Sequence, residues 1–226
     1  MVKKILILDS GPIINFSMNS LLYLFEKIDS IPEMDIVMTN FVRKEVVDYP
    51  LNIKRFELDA LRVNELIQKK IIKTPTDFGI SNEEISKLTQ KIISVINLTL
   101  KANNQYIKIV SDAEVSCLAL SLLLNKKNIE TMIGIDERTT RILFEKSENL
   151  EELMSKKLKT RVVIDNNEFK KFGIFRFIRS SEIVYAAYKK NLTLIKGKRA
   201  LEALIFATKF KGSSISFEEI DKLKRL

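Results

Sequence analysis

Apolar runs bounded by charge alternate along this chain with segments whose apolar residues recur every three or four positions. Ile5-Leu6-Ile7-Leu8, between Lys3-Lys4 and Asp9, and Met132-Ile133-Gly134-Ile135, before Asp136, read as strands buried on both faces of a parallel sheet. After the first strand, residues 3–8, Ser10-Gly11-Pro12 turns into a helix reaching about Phe25, with Ile13, Ile14, Leu21, Leu22, Leu24 and Phe25 toward the sheet. Residues 36–39 read as a short strand. Asn40 to Val47 reads as a brief helix carrying Glu45, closed by Tyr49-Pro50. Residues 55–104 hold two helical rhythms separated by Thr74 to Gly79, the second opened by the capping box Ser81-x-x-Glu84. Two antiparallel helices inserted between sheet units fit this stretch, as a clip over a site or an oligomer contact. Ser111 caps a strongly apolar helix over 112–125, Thr131 to Ile135 is the second clear strand, and Arg138 to Lys146 is a helix. Residues 161–164 and 173–177 read as edge strands or strand fragments, Ser181 to Lys190 and Arg199 to Lys209 as helices, and Ser216-x-x-Glu219 as the cap of a last one. The alternation predicts an α/β fold: a three-layer α/β/α sandwich around a mainly parallel sheet, spanning 1–195, with the helical insertion at about 55–104. A basic C-terminal helical extension, 196–226, packs on the same domain.

Composition narrows the chemistry. The 226 residues are 46% hydrophobic, ample for a packed core. Lys3 and Lys4 precede only four apolar residues, unlike a secretory leader, and no run approaches the ~18 apolar residues of a membrane span. A lone Cys117, within an apolar helix, excludes an internal disulfide framework and suits a reducing cytoplasm. The chain has no histidine, which excludes Ser-His-Asp and Cys-His catalysis and His-Cys zinc sites. Hydrolysis is then left to carboxylates holding hard cations such as Mg²⁺ or Mn²⁺. The net charge of +9 is uneven: residues 156–226 hold 18 Lys and Arg against 7 Asp and Glu, whereas 1–155 hold 20 against 22. Such a basic third suggests a polyanion partner, with Lys170, Lys171, Arg176, Arg179, Lys198 and Arg199 as candidate phosphate contacts. A lysine-rich solvated surface is the plainer reading.

Asp9 and Asp136 each end an apolar strand, and ligands of open parallel sheets bind outside the carboxyl ends of the strands. Glu45, Asp112 and Glu114 lie between them, each beside an apolar run. Converging carboxylates repel unless a proton or cation sits among them, so the pattern suggests a divalent-metal site of oxygen ligands. Structural roles compete: Asp9 and Asp136 as helix caps, Glu45 as a solvated acid, Asp112 at a helix N-terminus, Glu114 in a capping box with Ser111, and Glu137 as a cap or partner of Arg141. Phe169, Phe172, Phe175 and Phe177 interleave with basic residues, either as a half-buried strand with a basic outer face or as a base-stacking surface.

Four blocks resemble those of PIN-domain nucleases, in the family's order and over residues 1–145. They are Ile5 to Ile14 (strand, Asp, small residue, apolar helix), Thr39 to Val46 (a helix presenting a Glu), Ser111 to Leu120 (an acidic helix start), and Ile133 to Arg141 (a strand ending in adjacent acids and an Arg). The resemblance implies a metal-dependent endoribonuclease with Asp9, Glu45, Asp112 and Asp136 as its acidic cluster and Glu114 as an additional member. On that reading Asp9 and Asp136 hold Mg²⁺ or Mn²⁺, with Asp112 and Glu114 as further ligands, while Glu45 and Asp112 complete the shell or orient the water. Two cations roughly 3.5–4 Å apart would activate water and neutralise the phosphodiester oxygens. Family members act as toxins of toxin–antitoxin pairs or in RNA processing and quality control, implying an antitoxin or RNA-processing partner. Many form homodimers, for which the helical insertion is a candidate interface. The rival is a non-catalytic RNA-binding or scaffolding module on the same fold. Haloacid-dehalogenase-type phosphatases also open on a strand ending in Asp but need a second Asp two positions later, where Gly11 stands; Lys196-Gly197-Lys198-Arg199 lacks P-loop spacing.

Overall fold

A computed structural model describes residues 4–197 and 199–225. The first apolar run forms β1 (Lys4–Leu8), and Ile5 to Leu8 are all buried. Successive strand side chains point to opposite faces, so both faces of the sheet are covered. β2 (Met34–Val37) and β3 (Ile72–Lys73) lie to one side of β1. A separate antiparallel sheet is ordered β5-β4-β7, from β4 (Leu100–Ala102), β5 (Gln105–Tyr106) and β7 (Val162–Ile164). β6 (Glu130–Gly134) and β8 (Phe177–Ile178) complete the main sheet, whose order is β3-β2-β1-β6-β8 with every pairing parallel.

The connections carry the helices. α1 (Ser10–Met18) and α2 (Tyr23–Asp29) join β1 to β2; α3 (Asn40–Arg43) and α4 (Glu57–Gln68) join β2 to β3. α5 (Asn82–Ile96) and α6 (Asp112–Lys126) lead from β3 toward β6, and α7 (Arg138–Glu145) and α8 (Leu150–Leu158) from β6 toward β8. α9 (Ser180–Lys189), α10 (Ala200–Phe210) and α11 (Phe217–Arg225) end the chain described. Right-handed crossovers that run outward to β3 and then jump back past β1 to β6 deliver their helices to opposite faces. Accordingly α1 packs on α4, and α5 on α6. The reversal puts β1 and β6 on either side of a topological switch point, where open parallel sheets form a crevice outside the strand ends.

Two sequence expectations change, and one open alternative is decided. The helix from Ser10 stops at Met18, because Ser20 takes a left-handed φ of 57° while Ser20 N–H bonds to Ser17 O at 3.1 Å and Leu21 N–H to Phe16 O at 2.7 Å. That paired wrap ends a helix by satisfying its last carbonyls, and α2 starts anew. Residues 55–104 are not an insertion between sheet units: Ile72 pairs with Ile36, so β3 separates α4 from α5 and makes them successive crossover helices. With only two residues, that strand is hidden at the end of the preceding helical rhythm. Of the two readings of 169–177, the half-buried one with a basic outer face fits: Phe169 and Phe175 are buried and each meets Phe144 edge-on, at 5.9 and 4.8 Å, Phe172 and Phe177 are half-buried against the same core, and Lys170, Lys171 and Arg176 are exposed.

The C-terminal extension is tied to the switch point. Asn15 Nδ2 donates to Thr208 O at 2.8 Å, and Ser214 N–H to Asp136 O at 3.3 Å. Arg179, buried, donates to Glu219 at 2.9 Å, to Ser214 O at 3.3 Å and to Glu182 at 2.6 Å. Ile205, Ile215 and Ile220 form a small core of their own beneath α10 and α11. No helix among the described residues is long and apolar enough to cross a membrane. Arg179 is buried but its carboxylate partners are partly exposed and would be rehydrated on its removal, so Arg179→Ala should lower unfolding free energy by about 1–2 kcal/mol in urea titrations. A loss within error of zero would mean the extension is not anchored through this residue.

Candidate active site at the sheet switch point

Asp9 follows β1 directly and takes the N-cap position of α1 with an extended backbone, φ −78° and ψ 169°. Gly11 makes the turn possible: a Cβ there would lie 3.3 Å from Asp136 Cβ and 3.6 Å from Asp136 N. The chain ends of β1 and β6 are therefore packed together, as the sequence expected for Asp9 and Asp136. Asp9 is only 4% exposed, and its Oδ1 has no hydrogen-bond partner among the described residues. Burial raises its pKa to about 7, helped by the neighbouring Glu114 and Glu45 charges and opposed by the Ser10 and Gly11 amides.

Glu114 reaches this carboxylate from α6. Ser111 caps the helix, its Oγ accepting from Glu114 N–H at 3.2 Å, while Glu114 Oε2 accepts from Ser111 N–H at 3.1 Å and from Thr140 Oγ1 at 2.7 Å. Burial, and then Glu137 and Glu45, raise the Glu114 pKa against the pull of Thr140 and the Ser111 amide. Glu45 comes from a π-helical turn, Lys44–Asp48, that continues α3. Thr39 caps α3 through Val42 N–H at 3.3 Å and shares a 2.6 Å bond with Ser116 of α6, fixing the two elements together. A π turn shifts the helical register by one residue, a device frequent at functional sites. Cys117 lies one turn beyond Glu114, fully buried, its Sγ toward Leu8 O at 3.7 Å. Burial and the Asp9, Glu114 and Glu45 charges push its thiol pKa well up, which fits packing and not reactivity.

The assembled acids differ from those the family resemblance implied. The charges of Asp9, Glu45, Glu114 and Glu137 act on one another at this strand end, although the Glu45 side chain is itself exposed. Asp112 is exposed. Two positions along a helix are about 200° apart, so the residue that turns Glu114 inward turns Asp112 out to solvent. Asp136 is buried at the same strand end, but its carboxylate is committed: Oδ1 accepts from Ser180 N–H at 2.9 Å, and Oδ2 from Ser180 Oγ at 2.6 Å and Asn15 Nδ2 at 3.3 Å. It is thereby an anchor for the start of α9. Glu137 caps α7, accepting from Thr140 N–H at 3.0 Å and Thr139 Oγ1 at 2.8 Å. Asn15 and Thr140 were not among the sequence candidates. Asn15 alone left a sign, a polar residue amid the apolar positions of α1.

No family model matches the chain, and no curated protein or solved structure matches it either. The site stands on its geometry. Among the described residues no three His, Cys, Asp or Glu side chains are set in a ready-made metal cage. What the geometry does provide is a set of neighbouring acids with hard oxygen donors, one of them a buried carboxylate oxygen without a hydrogen-bond partner among the described residues.

The candidate phosphate contacts divide likewise. Lys170, Lys171 and Arg199 are exposed, with Lys171 3.0 Å from Glu168. Arg176 is exposed and paired with Glu130. Arg179 is internal, with both terminal guanidinium nitrogens committed to Glu182, Glu219 and Ser214 O, so it is removed from the RNA-contact set. Lys198 lies outside the described residues.

The Asp9 shift has a sign. Between pH 3.8 and about 7 the unfolded chain has released a proton that the folded chain keeps, so this group makes stability fall as pH rises through that window. Above it the penalty is constant, on the order of 4 kcal/mol. Asp9→Asn should therefore be more stable than wild type in urea at pH 8, with the advantage gone at pH 4. An advantage equal at both values would show that the Asp9 carboxylate carries no such burden.

Proposed function

We propose that this chain is a divalent-cation-dependent endoribonuclease on a PIN-like three-layer fold, acting at Asp9, Glu45 and Glu114. One observation carries the reading: the buried Asp9 Oδ1, partnerless, beside two further acids at the switch point of a parallel sheet. Its ionised form is unfavourable as it stands, and a hard cation is the partner that would relieve it. Asp9, Glu114 and, on swinging its exposed side chain inward, Glu45 would hold Mg²⁺ or Mn²⁺. When bound, the cation would lower the pKa of water and neutralise charge on phosphodiester oxygens.

The protein's own residues do the positioning. Thr140 and the Ser111 amide fix one oxygen of Glu114. Asn15 and Ser180 hold Asp136, which packs against Gly11 of the β1–α1 turn. Leu8 and Cys117, both fully buried, supply apolar packing beside the Asp9 strand end. The basic last third, with Lys170, Lys171 and Arg199 exposed, supports a polyanionic substrate such as RNA.

A second reading, an RNA-binding module without cleavage, is favoured by the commitment of Asp136 to Ser180 and Asn15. Metal response separates the two. With wild type, Mn²⁺ or Mg²⁺ should raise the melting temperature saturably at pH 8, and cleavage of single-stranded RNA should require the metal. Asp9→Asn and Glu114→Gln should abolish the melting response and cut cleavage by at least about 100-fold, whereas Asp112→Asn should leave both near wild type. RNA retention that survives EDTA, with no metal-dependent cleavage or melting response, would favour the binding module. Loss on Asp112→Asn with retention on Glu114→Gln would overturn the assignment of acids.

A further inference from the structure

An open groove of about 450 Å³ runs from Glu45 away from the carboxylates, between α1 and the stretch from the π turn into α4. Its size falls within the ~300–1,000 Å³ of small-molecule pockets. Ile14, Met18, Tyr49, Ile53 and Phe56 line it, each between 42% and 64% exposed. The sequence pattern placed Ile14 on the sheet side of α1; it faces this groove instead. Contiguous exposed apolar side chains of this kind mark a surface that something covers.

We infer that this groove is a base subsite: it takes an unpaired nucleobase bearing an exocyclic amino group, next to the phosphodiester held at the carboxylates. Three features select that occupant. The groove shares Glu45 with the acidic site, so a strand placed there continues directly into it. The Tyr49 and Phe56 rings offer flat apolar faces, and stacking on aromatic side chains is how unpaired bases are commonly held. Two of the polar groups in the lining, Glu45 and Asp59, are carboxylates, which accept from amino groups. Ser17 Oγ donates to Asp59 Oδ1 at 2.7 Å, and Arg62 lies 3.7 Å from the same oxygen. A carboxylate has about four acceptor positions, so Asp59 keeps acceptors for the amino group of adenine or cytosine and for the paired N–H donors of guanine, whereas uracil offers only its single ring N–H. Arg55 is exposed, lines the groove and lies 5.4 Å from the Phe56 ring centroid, where it can meet the phosphate of the same nucleotide.

The position of the scissile phosphate rests on the nuclease reading, but the pocket does not, so the test is made without metal and without cleavage. Protein carrying ¹³C-methyl Ile and Met is titrated in EDTA with AMP, CMP, GMP, UMP and ribose 5-phosphate. Methyl signals of Ile14, Met18 and Ile53 should shift saturably, with AMP, CMP and GMP binding about tenfold tighter than UMP and ribose 5-phosphate leaving them in place. Asp59→Asn should collapse the preference over UMP, and Phe56→Ala should weaken all four. Should Asp59→Asn fail to fold by circular dichroism, Tyr49→Ala, at the exposed wall, replaces it and should weaken all four nucleotides. Equal shifts with ribose 5-phosphate, no shifts at millimolar nucleotide, or insensitivity to Phe56→Ala would overturn the subsite, and the first two would point to a protein partner in the groove. Saturable shifts without any metal-dependent cleavage would remove the nuclease reading and leave the pocket; cleavage without shifts would remove the pocket alone.

Discussion

A carboxylate almost wholly removed from water, with one oxygen left unpartnered and two like charges nearby, is the constraint around which this fold is arranged. Burying a charge is tolerated only where something compensates it. Asp9 takes up part of the strain by holding its proton to about pH 7, and the Ser10 and Gly11 amides relieve a little more. Structural acids elsewhere in the chain are treated differently. Asp77 sits in a capping box, bonded by Thr74 and Lys70, and its pKa falls to about 2. One chain thus holds a carboxylate made comfortable by its donors and another left short of them. The contrast separates an acid whose charge the fold satisfies from one whose charge it does not.

The parallel topology explains why this tension arises where it does. Strand order reverses between β1 and β6, so crossover helices diverge and leave their strand ends uncovered. Into that gap come α6 with Glu114 and the π turn with Glu45, both fixed by short polar bonds, Thr140 to Glu114 and Thr39 to Ser116. The C-terminal helices close the remaining side through Asn15, Asp136 and Ser214.

Much of this was legible in the order of residues. The long apolar strands, the capping boxes at Ser81, Ser111 and Ser216, and the pairing of Asp9 with the β6 end follow from local patterns that packing reinforces. What was not legible depended on contacts between distant segments. β3 has two residues and is a strand only because β2 lies beside it. Asp112 and Glu114 look equivalent along the chain, and the capping bond to Ser111 with the Thr140 contact decides which one turns inward. Arg179 and Asp136 carry the residue types of a substrate contact and a metal ligand, yet each has its charge satisfied by partners tens of residues away, Glu219 and Ser180. Charge read from sequence says what a side chain can bind, and burial says whether it still has anything left to bind with.

The two outermost strands of the main sheet, β3 and β8, are each two residues long. Brevity of that kind blunts a sheet margin, because so few backbone groups are presented that another chain cannot zip onto it. Growth of the sheet from molecule to molecule is therefore discouraged at both margins, and self-association is directed to side-chain surfaces instead. For a chain this rich in β-branched and aliphatic residues, that geometry is a safeguard against fibrous aggregation built in at the level of topology.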